Sequence, residues 1–192
     1  MKRNAGCLYS LLAIAAAAPA ASHNLLVNPG FATDLEPWLA FNHFGLTIAW
    51  SPLDAGDDPA SGSVEGTVPA DGLFRSPPYV IQCVAVDPDT PYVVGATVLM
   101  PSDTSTSEAG AGTLSNVYPN DACTGNPLTS TFGRFAYARD AWTPVRDAVH
   151  TGAEGRSIQV NLVVYAPDGT MLRSYFDDAV VFSDRLFLGN FD

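Results

Sequence analysis

The sequence predicts an all-β protein folded as a two-sheet antiparallel β-sandwich. Three observations carry this. After residue 22, apolar residues almost never recur with a period of 3.6. Short runs alternate instead, rich in Val, Ile, Thr and aromatic residues, which suit a pleated, half-buried surface. Clusters of Gly, Pro, Asn and Asp separate the runs at short, regular intervals.

Taken in order, the expected strands are 24–27, 45–50, 62–68, 79–86, 92–100, 113–118, 133–139, 145–151, 157–165 and 172–182. Turn chemistry falls between them at Asn28-Pro29-Gly30 and Asp87-Pro88-Asp89, and Pro167-Asp168-Gly169 is expected to join two long strands as a hairpin. Residues 51–61 and 101–112 are small, acidic and turn-rich, and are expected as surface loops. No linker or internal repeat divides the chain, so residues 23–183 are expected to form one domain, followed by a short tail at 184–192.

Residues 1–22 read as an export signal. Lys2 and Arg3 precede an apolar run from Leu8 to Ala18, and Ala18-Pro19-Ala20 or Ala20-Ala21-Ser22 offers small residues for cleavage. The run falls short of the roughly 20 residues a spanning helix needs. Cys7 lies before the apolar run rather than after it, against a lipid anchor. The expectation is a secreted protein, extracellular or periplasmic, that does not enter the membrane.

The whole chain has 9 basic and 20 acidic residues, net −11; loss of Lys2 and Arg3 would leave 7 against 20, or −13. Such a charge repels phosphate backbones and anionic lipid, which excludes nucleic acid and membrane surfaces as expected partners and disfavours anionic polysaccharides. With Cys7 removed, Cys83 and Cys123 are the two remaining cysteines of a chain bound for an oxidising compartment, and they are expected to pair. Neither has a CxxC neighbour or a nearby His that would suggest metal or redox chemistry.

Strand alternation sorts the candidate binding residues. In 157–165, Ile158, Val160, Leu162 and Val164 share the core face, and Gln159, Asn161, Val163 and Tyr165 share the other. Amides beside an aromatic ring suit a sugar surface, with directional hydrogen bonds for hydroxyls and a flat ring for C–H groups; an ordinary solvated sheet face is the alternative. In 133–139, Phe135, Tyr137 and Arg139 share one side, and the sequence leaves open whether Tyr137 faces core or ligand. Trp50 alternates with Leu46 and Ile48 yet opens an acidic loop, so it fits core and platform equally.

The segments NLLVNPGF and EPW, then Ser61-Gly62-Ser63, Gln82-Cys83, Trp142-Thr143-Pro144-Val145 and Tyr175-Phe176-Asp177-Asp178-Ala179-Val180, resemble carbohydrate-binding modules of the cellulose- and xylan-binding type. Their shared fold is the galactose-binding-like jelly roll. The resemblance implies a glycan as partner, Trp38 and Trp142 as framework residues, and a structural calcium between the first turn and the last strand. The acid expected after Gly-Phe is replaced by Ala32, so Asp34 and Asp178, with backbone carbonyls, are the candidate ligands.

Catalytic signatures are lacking. His23, His43 and His150 have no recognisable partner, and Gly62-Ser63-Val64-Glu65-Gly66 sets its serine one place early for a nucleophile elbow. Adjacent strand residues such as Asp177 and Asp178 face opposite ways and cannot flank one glycosidic bond unless a bulge intervenes. The sequence therefore favours a non-catalytic protein for neutral polysaccharide. A structural or surface-interaction sandwich without a sugar site, and less so a glycoside hydrolase, are the alternatives.

Overall fold

The computed structural model describes residues 23–41, 46–68, 78–104, 108–166 and 171–183. The expected signal, His43, the Pro167-Asp168-Gly169 turn and the C-terminal tail lie outside them. The described residues hold two five-stranded antiparallel sheets and no helix. Sheet A runs β1 (Leu39–Ala40), β4 (Pro78–Ala85), β9 (Ser157–Tyr165), β6 (Gly110–Tyr118), β7 (Thr129–Ala136). Sheet B runs β2 (Thr47–Ser51), β3 (Ser63–Val68), β10 (Leu172–Ser183), β5 (Pro91–Leu99), β8 (Thr143–His150). The fold is the all-β sandwich that alternation predicts.

The core lies between the sheets. Ile158, Val160, Leu162 and Val164 of β9 face Val94, Ala96 and Val98 of β5 and Val64 and Phe176 of β3 and β10 in one cluster, all within 1% of full burial. β9 and β10 are the central strands of their sheets, each paired on both edges.

The expected first strand at 24–27 is not a ladder strand. It lies along β10 through one backbone bond, Leu25 N–H to Val181 O at 2.7 Å, with the Asn24 side chain supplying the rest: Nδ2 donates to Ala179 O at 2.8 Å and Oδ1 accepts from Val181 N–H at 2.9 Å. The turn that follows puts Asn28 and Phe31, rather than Gly30, in the left-handed region, with φ of 49° and 47°. Phe31 is fully buried against Trp38, ring centres 5.3 Å apart, and that burial offsets the roughly 1–2 kcal/mol the conformation costs. The ladder's first strand is instead the two-residue β1.

Bulges on β10 and β7 change strand parity, as does a register shift between Pro78 and Val80 on β4. On β10 the register moves from Asp177 opposite Thr97 to Val180 opposite Gly95, three residues against two. On β7 it moves from Phe132 opposite Leu114 to Phe135 opposite Gly112, again three against two. The β10 and β7 bulges each return to the same face a residue that strict alternation would send to the other.

Candidate functional site

The outward face of sheet A gathers aromatic side chains. Tyr165 of β9 pairs with Gly110 of β6, and Gly112 pairs with both Val163 and Phe135. The β7 bulge then brings Phe132 onto the side of Phe135 and Tyr137. The described residues lining the resulting cleft, about 350 Å³, are Phe132, Phe135, Tyr137 and Tyr165. Phe132, Tyr137 and Tyr165 are 66%, 55% and 48% exposed. The glycines make the floor: a Cβ on Gly110 would stand 2.7 Å from the Tyr137 ring. A glycine here lets that ring lie flat over β6. Arg139 fixes the backbone behind it, donating through Nη1 to Tyr137 O and through Nη2 to Ala109 O, both at 2.7 Å.

The structure distributes the sequence-predicted residues unevenly. Tyr137 and Tyr165 meet in the cleft, which settles the open face of Tyr137 in favour of solvent. Gln159 shares their sheet face but lies six residues from Tyr165, beside the disulfide. Asn161 is 2% exposed, and its Nδ2 donates to Leu114 O at 2.8 Å and Gln159 O at 3.2 Å, so its amide joins strands. Trp50 belongs to sheet B. Its ring lies over Gly62 and its Nε1 donates to Phe31 O at 2.6 Å, tying the β2–β3 hairpin to the N-terminal turn. Phe132 was not legible as a site residue, because only the bulge gives it the parity of Tyr137.

Cys83 and Cys123 form the expected disulfide. It joins β4 to the loop after β6, across the intervening β9.

Asp34 and Asp178 are the acids expected to hold calcium. Asp34 is exposed and closes its own turn, its Oδ1 accepting from Glu36 N–H at 3.0 Å. Asp178 is exposed at the β10 bulge with φ of 46°. The buried acid is Asp177, with both oxygens accepting N–H groups: Ala55 at 2.8 Å and Asp178 at 2.6 Å. Burial pushes its carboxyl up to about 7, and the nearby charges of Asp178 and Asp54 add to the rise. Asp54 is also buried. Burial raises its pKa, but the N–H of Asp58, the Ser61 hydroxyl, the N–H of Gly56 and the Asp177 carboxyl outweigh it, and the net shift is downward. Calcium takes six to eight oxygens, whereas among the described residues no group of three or more His, Cys, Asp or Glu is placed to hold a metal. Asp54 and Asp177 thus carry shifts of opposite sign, and Asp177 holds its proton into the neutral range.

No family model and no curated protein sequence matches the chain. Solved structures match in fold. The enzymatically active domain of bacteriophage CBA120 tailspike protein 4 superposes with a TM-score of 0.62 at 12% identity over 84% of this chain, which spans only 21% of that one. TmCBM61, solved with β-1,4-galactotriose, gives 0.52 at 20% identity over 85% of this chain and 100% of that one. The CBM22-1 xylan-binding domain of Xyn10C from Paenibacillus barcinonensis gives 0.54 at 10% identity over 86% and 97%. The chain thus shares the β-sandwich fold of carbohydrate-binding modules, as its sequence resemblance implies.

Proposed function

We propose that this protein is an exported, non-catalytic glycan-binding module that takes neutral polysaccharide in the aromatic cleft of sheet A. The observation that carries the proposal is the exposure of Phe132, Tyr137 and Tyr165 around one cleft. Leaving a large apolar side chain in water forgoes roughly 1.5–3 kcal/mol of burial, and contiguous exposed apolar surface marks an interaction site. A pyranose ring offers such surface an axial C–H face, while the tyrosine hydroxyls suit its equatorial hydroxyls.

The acidic balance of the chain favours uncharged sugars. The disulfide supports an oxidising, extracellular location. The fold shared with a xylan-binding domain and with a module complexed with β-1,4-galactotriose supports the ligand class. Affinity gels containing neutral plant and microbial polysaccharides test the reading: retardation that is lost in Tyr165→Ala and Tyr137→Ala is expected. Free migration through the whole panel overturns it and leaves the aromatic cleft to a protein partner.

A further inference from the structure

Asp147 interrupts the apolar side of β8. Val145 and Val149 are buried in the core, and Asp147 stands between them with the same strand parity, opposite the fully buried Val94 of β5. A carboxylate turned inward loses water and needs hydrogen-bond donors in exchange. None is offered by its apolar neighbours on β8.

The donor comes from the other sheet, at the β7 bulge. Phe132 lies opposite Leu114 and Phe135 opposite Gly112, so Gly133 and Arg134 share the single position facing Thr113. A bulge leaves its extra residue unpaired in the ladder. Asp147 Oδ2 accepts the Arg134 N–H at 2.5 Å, so the carboxylate and the bulge backbone satisfy each other. Gly133 leaves room for this contact: a Cβ there would stand 2.6 Å from Asp147 Oδ2 and 2.6 Å from Thr113 Oγ1. The Arg134 guanidinium adds little. Its Nε is 3.9 Å from Asp147 Oδ1, and the Arg134 side chain is 82% exposed against 22% for Asp147, an ion pair that water screens.

The bulge decides what enters the aromatic cleft. Phe132 and Phe135 are three residues apart and would point to opposite faces of a regular strand; the extra residue puts both on the outward face of sheet A. We propose that Asp147 is a positioning residue for the cleft: reaching from sheet B, it holds the β7 bulge that keeps Phe132 on the side of Tyr137 and Tyr165. Its effect on binding rests on the glycan-binding reading of that cleft, whereas its effect on Phe132 does not.

Three variants separate the backbone contact from charge and from bulk. Asp147→Asn keeps an oxygen acceptor for the Arg134 N–H, Asp147→Ala removes it, and Arg134→Ala removes the guanidinium while keeping the N–H. By NMR, the unaltered protein, Asp147→Asn and Arg134→Ala are expected to show a protected amide at position 134 and cross-strand contacts between Phe132 and Leu114. In Asp147→Ala that amide is expected to exchange about tenfold faster or more, and the Phe132 contacts to disappear while core contacts of β9 persist. Gly133→Ala, which crowds the carboxylate, should act in the same direction and serves where Asp147→Ala does not fold. Affinity gels containing xylan or β-1,4-galactan supply the second arm: in the gel that retards the unaltered protein, Asp147→Ala is expected to bind about three- to tenfold more weakly and Asp147→Asn within about twofold. A protected amide and intact Phe132 contacts in Asp147→Ala overturn the proposal, as does an Asp147→Asn variant that loses them equally. Free migration of the unaltered protein in both gels counts against the glycan reading alone, and the NMR arm still decides the role of Asp147.

Discussion

The ring of Tyr137 lies flat against Gly110, on whose position a Cβ would stand 2.7 Å from the ring edge. A methyl group there cannot be accommodated without lifting the tyrosine, because real Cβ contacts do not approach so closely. Gly110→Ala is therefore expected to weaken glycan binding about three- to tenfold, the loss of roughly 0.5–1.5 kcal/mol of ring contact. Its circular dichroism should be unchanged, and Tyr137→Ala should weaken binding at least as much. Unaltered affinity in Gly110→Ala would show that the flat ring is not the platform.

The Asp177 carboxyl makes stability depend on pH in a direction unusual for an aspartate. Its pKa in the fold, about 7, lies above the ordinary value of 3.8. The folded state therefore holds the proton more tightly than the unfolded chain. The resulting stabilisation is complete in acid, declines as pH rises above about 4 and is gone above about 7. Asp54, shifted downward, contributes in the opposite sense: its stabilisation is present above its ordinary value and lost in acid. Between pH 5 and 8 the Asp177 contribution dominates, so Tm is expected to fall across that window and to fall less in Asp177→Asn. Millimolar calcium should leave Tm unchanged. A clear rise in Tm with calcium would show that the carboxyl pair holds a cation after all.

Gln82 ties the N-terminal segment to sheet A. Val27 N–H donates to its Oε1 at 2.8 Å, and its Nε2 donates back to Val27 O at 2.9 Å, so one side chain replaces a strand's paired backbone bonds. Gln82→Ala removes both bonds and leaves Val27 polar groups partly buried, at an expected cost of about 1–3 kcal/mol. Denaturant unfolding measures the loss, and hydrogen exchange should accelerate first at residues 24–28.

The disulfide closes a sequence separation of 40 residues. Cys83→Ser with Cys123→Ser is expected to lower unfolding free energy by about 3–4 kcal/mol, since the unfolded chain regains that loop's freedom. Chemical denaturation of the double variant checks it. A loss well below 1 kcal/mol would mean that the unfolded chain is already compact around this loop.

Much of the sandwich follows from residue order alone. Ile158, Val160, Leu162 and Val164 had to share the core face because side chains on a strand alternate, and they do. The pairing of Cys83 with Cys123 followed from counting the cysteines that remain once the expected export signal is set aside. Alternation also placed Gln159 and Tyr165 together on the opposite face. It could not reveal that Asn161, on that same face, is consumed by Leu114, since the partner carbonyl comes from a strand 47 residues away.

The site itself was decided by tertiary structure. Phe132 joins Tyr137 only because an extra residue in β7 breaks strict alternation, and a bulge depends on how two strands pair rather than on either strand's pattern. Trp50 goes to the N-terminal turn because Phe31 O lies within reach of its indole, a contact between segments 19 residues apart. Asp177 rather than Asp178 is the buried acid because the loop carrying Ala55 folds over it. Local sequence determines strand, turn and face through short-range sterics and periodicity. Which faces meet, and which side chains remain in water, depends on long-range pairing, and that pairing turned scattered aromatic residues into one cleft.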